Sequence, residues 1–152
     1  MRFNDTSLLS SDELMLVLQR FSDADPAANK LPAYKFTICN REGERLGECV
    51  LRLGHSERVY YGGNIGYGVD EPCRGHHYAE KACRILFRLA AAHGMDYVII
   101  SCTPENTPSR RTCERLGGKL LEIAELPAEN DMREKGLTRV CVFRCELPQE
   151  EE

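Results

Sequence analysis

Residues 66–82 read GYGVDEPCRGHHYAEKA. The stretch begins as an extended segment ending at Val69, passes a short turn, and enters a helix directly behind Arg74 and Gly75. A strand-to-helix junction of this kind points several unpaired N–H groups at one spot, and the helix dipole adds partial positive charge there. A pyrophosphate is the natural occupant of such a spot. Arg74 is placed to add charge, while Gly75 and Ala79 keep bulk low beside the backbone.

Downstream, Tyr78, Ala79, Ala82, Cys83, Leu86, Leu89 and Ala90 follow the i, i+3, i+4, i+7 rule of an amphipathic helix over residues 75–93. Gly94 suits its C-terminal cap. Residues 97–101 (YVIIS) form the short apolar run of a buried strand, and a second helix covers 107–116 before Gly117 and Gly118. Strands at 119–125 and 137–147 follow, separated by a polar loop at 127–136. Upstream, 33–39 (AYKFTIC) and 46–53 alternate as a hairpin around the turn at 40–44. A turn at 55–58 leads to a third strand over 60–69, loosened by four glycines. Residues 13–20 fit a strand or a short helix, and 23–32, with two prolines, read as a loop. The order predicts an α+β fold: a central mixed, mostly antiparallel sheet flanked by helices, with a β-α-β-α core, in a single domain over 1–152.

On these elements the sequence resembles the general N-acetyltransferase (GNAT) superfamily. Its pyrophosphate loop, Arg/Gln-x-x-Gly-x-Gly/Ala, corresponds here to Arg74, Gly75, His76, His77, Tyr78 and Ala79, with His77 where glycine is usual. Its second block, N-x-x-S/A-x-x-x-x-E-x-L-G, is matched by Asn106, Ser109, Glu114, Leu116 and Gly117. The resemblance implies acetyl-CoA as cosubstrate, with pyrophosphate on the first loop and pantetheine beside Asn106, Ser109 and Cys113. It also implies direct acetyl transfer to an amine, the thioester lying along the strand so that N–H groups of Tyr67, Gly68 and Val69 polarise its carbonyl. Cys113 occupies the position where many members carry a tyrosine that protonates the departing thiolate. For the general base, Glu71 and Glu48 are the carboxylates to test, and Asn64 is a polar candidate that orients a water. The reading from a different class is a degenerate acyl-CoA-binding sensor that does not catalyse.

Composition is that of an ordinary globular chain of 152 residues, 42% hydrophobic and 29% charged, with room for a sizeable core. A net charge of −4 speaks against nucleic acid as a partner. No run approaches the ~20 apolar residues of a membrane span. Leu8 and Leu9 precede Asp12 and Glu13 without a signal-peptide pattern, so a cytoplasmic location is expected. The eight cysteines contain no CxxC pair and read as reduced, packed thiols, with no metal site expected. The acceptor pocket is expected from residues 13–32 and 126–137, the acidic tail 149–152 is expected to be solvated, and the alternating last strand suggests pairing in a homodimer.

Overall fold

Alternating side chains build the first half of the chain in a computed structural model that describes residues 9–28, 30–128, 130 and 136–147. Strands β1 (Leu14–Ser22), β2 (Ala33–Asn40), β3 (Arg45–Arg52) and β4 (Ile65–Val69) pair antiparallel in that order. The segment at 13–20 is therefore a strand. One face of the sheet gives Leu14, Leu16, Phe36, Ile38, Cys49, Leu51 and Ile65 to the core. Helix α2 (Tyr78–Ala92) lays Ala82, Cys83, Ile85, Leu86, Leu89 and Ala90 against them. Each large side chain buried here contributes about 1.5–3 kcal/mol. Gly47 lets β3 and β4 close up, because a Cβ there would meet the Gly68 carbonyl oxygen at 2.2 Å.

The expected strand over 60–69 is shorter than its composition suggested. Helix α1 (Glu57–Gly62) takes Tyr60, Tyr61 and Gly62. Ser56 caps it, its hydroxyl accepting from the Val59 N–H, and Gly63 ends it at φ 84°. A serine cap followed by an acidic first residue outweighs the strand preference of a Tyr-Tyr pair.

The second half forms its own antiparallel sheet, β5 (Tyr97–Cys102), β6 (Lys119–Glu125) and β7 (Arg139–Glu146), in the order β5-β7-β6. Helix α3 (Thr107–Arg115) connects β5 to β6. The α+β class and the β-α-β-α core stand as read from sequence. The single mixed sheet does not: no ladder joins β4 to β5 among the described residues, and the two sheets part between them. They are joined at the base by Asn64, whose N–H donates to the Ile99 carbonyl (2.7 Å) while its Oδ1 accepts from the Ile99 N–H (2.8 Å). The homodimer argument from the last strand also fails. β7 lies between β5 and β6, so both of its hydrogen-bonding edges are taken.

No described helix is long and apolar enough to cross a membrane. All eight cysteines are free thiols, and no cluster of metal-ligating side chains occurs among the described residues. The tail at 149–152 and residues 131–135 of the expected acceptor loop lie outside the described residues.

Candidate functional site

The parting of the two sheets leaves β4 with one edge that no strand covers. Pairing parity says what this edge carries. The Arg52 N–H donates to the Asn64 carbonyl and the Asp70 N–H to the Leu46 carbonyl. With the register between them unbroken, Gly66 and Gly68 face β3 with their backbone polar groups. Tyr67 and Val69 therefore turn N–H and C=O toward the gap. Of the three backbone donors expected from sequence, Tyr67 and Val69 are available and Gly68 is spent on the sheet.

The edge leads into the loop before α2. Gly75 takes φ 97° and His77 takes φ 60°, ψ 29°, and His77 is the only non-glycine residue with positive φ among the described residues. This left-handed pair curls the chain so that successive N–H groups converge ahead of the helix. The first intrahelical bond of α2 runs from the Lys81 N–H to the His77 carbonyl, which leaves the N–H groups of Tyr78, Ala79 and Glu80 without helical partners. No side chain caps them. His77 thus holds the left-handed conformation that glycine adopts most readily, and it is exposed. His76 is exposed and its ring lies 5.3 Å from that of Tyr78.

Arg74 folds back onto the strand, its Nε donating to the Val69 carbonyl at 3.0 Å. This fixes the guanidinium at the mouth of the cradle and leaves its two Nη groups for an anion. Asn106 caps α3 through Oδ1, which accepts from the Ser109 N–H at 3.2 Å. Ser109 in turn meets Tyr67, with Oη and Oγ 2.7 Å apart. Burial pushes the Tyr67 phenol well above its ordinary pKa. The two motifs are thereby brought to one gap, one on each side.

Two expected site residues, Asn64 and Cys113, are placed elsewhere by the structure, and Glu48, which lines the shallow cleft beside β4, is held in salt bridges. Asn64 is fully buried, and its Nδ2 donates to the carbonyls of Arg52 (2.9 Å) and Gly54 (2.7 Å). With Oδ1 held by Ile99, the amide is fully occupied in clamping the sheets and orients no water. Cys113 is fully buried in the core; its hydrogen bond with Cys102, and then burial, hold the thiol protonated far above the cysteine range. It lines no gap and donates no proton there. Glu48 is tied to Arg45 (3.0 Å) and Lys35 (3.5 Å), and the hydrogen bond from Arg45 lowers its pKa. A carboxylate so held is a weak base. Glu71 sits exposed in a short 3-10 turn beside the same shallow cleft.

Sequence reasoning overlooked Arg45. Its Nε donates to Asp70 at 2.9 Å and its Nη1 to Glu48, so it ties the end of β4 to β3. The available signal was opposite charge at the facing ends of two neighbouring antiparallel strands.

Residues 2–119 match the family model described as an acetyltransferase (GNAT) domain. This chain is a member of the GNAT acetyltransferase family. A curated relative from Oryza sativa subsp. japonica, glucosamine 6-phosphate N-acetyltransferase 1, is 33% identical over 113 residues. The match covers 74% of this GNAT chain and 58% of the rice protein. Among solved structures, a ribosomal L7/L12 alpha-N-protein acetyltransferase in complex with coenzyme A superposes with a TM-score of 0.65 at 15% identity. That match covers 92% of this chain and 97% of the other. A GNAT-family acetyltransferase from Bacillus anthracis gives 0.58 at 20% identity, covering 74% and 65%. At these identities the structures show the fold alone.

Proposed function

We propose that the protein is an N-acetyltransferase that moves an acetyl group from acetyl-CoA directly to a primary amine of a small molecule or of a protein N-terminus. The observation that carries this reading is the uncovered β4 edge followed, after one short 3-10 turn, by the cradle formed by Gly75, His77 and the first turn of α2. A pantetheine arm carries amide groups that can pair with such an edge as an added strand would. The cradle fits a pyrophosphate, with backbone donors and Arg74 around it. Asn106 and Ser109 face the arm from the other side of the gap, as the motif match implies.

Acetyl-CoA supplies the activated acyl group, its C–S bond exchanged for C–N as the amine donates its electron pair and the thiolate leaves with its own. The chain's part is binding, orientation and polarisation. The N–H groups of Tyr67 and Val69 are donors for a carbonyl laid along the edge, where developing negative charge is stabilised. Holding two reactants in line supplies on the order of 7–11 kcal/mol toward the barrier. With Cys113 buried and Glu48 bound to arginine, water is the proton carrier, and Glu71 is the carboxylate free to assist it.

Calorimetric titration of acetyl-CoA into the protein, with Arg74→Ala and Asn106→Ala alongside, tests the donor site. Binding weakened about tenfold by Arg74→Ala is expected, the loss of a charge-assisted contact. No binding by the unaltered protein refutes the reading. Turnover on an amine panel separates an enzyme from a sensor that binds acetyl-CoA without reacting.

A further inference from the structure

The β1–β4 sheet has a second face, turned away from α2, and the register shows what it presents. Arg20 of β1 pairs with Lys35 of β2, Lys35 with Val50 of β3, and Val50 with Gly66 of β4. Residues paired across a ladder share a face, so these four form one row across the sheet. The next row, two residues along, holds Ser22, Ala33 and Arg52.

Arg20 owes its place to an irregularity. Leu14 and Leu16 alternate inward, and that period would carry Arg20 to the helix side. The register shifts between Leu18 and Arg20, leaving Gln19 as an extra residue, and Arg20 turns onto the open face. Bulges re-aim side chains in this way and are enriched beside active sites.

A cleft of about 800 Å³ opens over these rows. Its described basic lining residues are Arg20, Lys30, Lys35, Arg52 and Arg58, against the acids Asp23 and Glu57, in a chain whose net charge is −4. Arg52 is half-buried and donates one hydrogen bond, from Nη1 to the Gly63 carbonyl at 3.0 Å. No carboxylate pairs with it among the described residues. Burial, and then the charge of Arg58, lower its pKa. A half-buried guanidinium without a carboxylate beside it favours an anionic ligand. Among the described residues Lys35 is tied only to Glu48, through a partly exposed pair of little strength.

Val50 lines both this cleft and the shallower one beside Gly66, Gly68 and Arg74, so the basic region is continuous with the β4 edge. Arg52 lies two strand residues from the Val50–Gly66 row, about 7 Å along β3.

We infer that this cleft is the acceptor site of the proposed transferase and that it selects small-molecule amines carrying a phosphate or carboxylate roughly 7–10 Å from the reacting nitrogen. Arg52 and Arg20 bind the anion. The cleft volume suits a compact ligand. The inference rests on the acetyltransferase reading only for the amine's fate; the anion site stands on the arginines.

The test is calorimetry on the full chain with glucosamine 6-phosphate, glucosamine, 6-aminohexanoate and an acidic peptide with a free N-terminus. Glucosamine 6-phosphate or 6-aminohexanoate is expected to bind at least tenfold tighter than glucosamine, and the tighter of the two identifies the anion. Arg52→Gln and Arg20→Gln are each expected to weaken that binding about tenfold while leaving the acetyl-CoA affinity unchanged. Arg20 is exposed, so its variant remains informative should Arg52→Gln fail to fold. Binding of neither anionic amine more tightly than glucosamine, indifference to Arg20→Gln, or binding of the acidic peptide alone overturns the inference. Loss of acetyl-CoA binding with phosphate discrimination intact refutes the transferase reading and supports the anion site.

Discussion

Tyr67 Oη and Ser109 Oγ stand 2.7 Å apart across the gap between the two sheets, joining residues 42 positions apart in the chain. Tyr67 lies on the strand leading toward the loop before α2, and Ser109 lies in the first turn of α3. The bond therefore holds the two sequence motifs at a fixed separation.

The consequences of breaking it are asymmetric. In Tyr67→Phe the half-exposed Ser109 hydroxyl turns to water, at a cost of about 1 kcal/mol. In Ser109→Ala the more deeply placed Tyr67 hydroxyl loses its partner, at about 1–3 kcal/mol. Urea denaturation is expected to rank Ser109→Ala as the less stable variant. The reverse order would place the Tyr67 hydroxyl in water.

His77 holds a left-handed conformation that costs a residue with a Cβ about 1–2 kcal/mol. His77→Gly removes that strain and returns part of the gain as unfolded-state entropy. A net stabilisation of up to about 1 kcal/mol is expected, with acetyl-CoA binding retained. His77→Val is expected to destabilise, because a β-branched residue resists positive φ. Thermal melts of the two variants read the difference, and a destabilised glycine variant would contradict the observed geometry.

Asn64→Ala removes three hydrogen bonds in the core and leaves two carbonyls and one N–H without the amide. At about 1 kcal/mol or more for each, a loss of at least about 3 kcal/mol is expected. Any fall in turnover should track the unfolded fraction. A well-folded Asn64→Ala protein with turnover abolished would restore the residue to the chemistry.

Glu48 supplies an acid-side test. Its folded pKa is lowered, mainly by the Arg45 hydrogen bond, so the folded state holds its proton less tightly than the unfolded chain does. The stabilisation is present above the unfolded carboxylate value near 4.3 and fades as pH falls through the folded value. Glu48→Gln is expected to flatten the stability profile in that acid window and leave neutral-pH turnover within a fewfold of the parent. Turnover lost at neutral pH would make Glu48 the base.

Local patterns were enough for α2, the β2–β3 hairpin and β5, because a 3.6-residue or two-residue period survives whatever packs against it. The Arg74–Ala79 loop and the Asn106–Gly117 block were legible for the same reason, since each is a run of backbone requirements carried by neighbouring residues. Tyr60 and Tyr61 misled because strand preference in an aromatic pair is weak beside a capped turn at Ser56. Asn64 and Cys113 misled because polarity in a sequence gives no sign of whether a group faces a ligand or another part of the chain.

The sequence by itself determined the succession of elements, the Arg74–Ala79 loop and the helix it opens, all of which depend on residues within a few positions of one another. Only the tertiary structure decided that β4 and β5 part, that Asn64 clamps their base, that Tyr67 reaches Ser109, and that a bulge at Gln19 turns Arg20 onto the open face of the sheet. Those outcomes depend on register and on which edge is left uncovered. Both are set by pairing between distant strands, where a slip of one residue exchanges the two faces of the sheet.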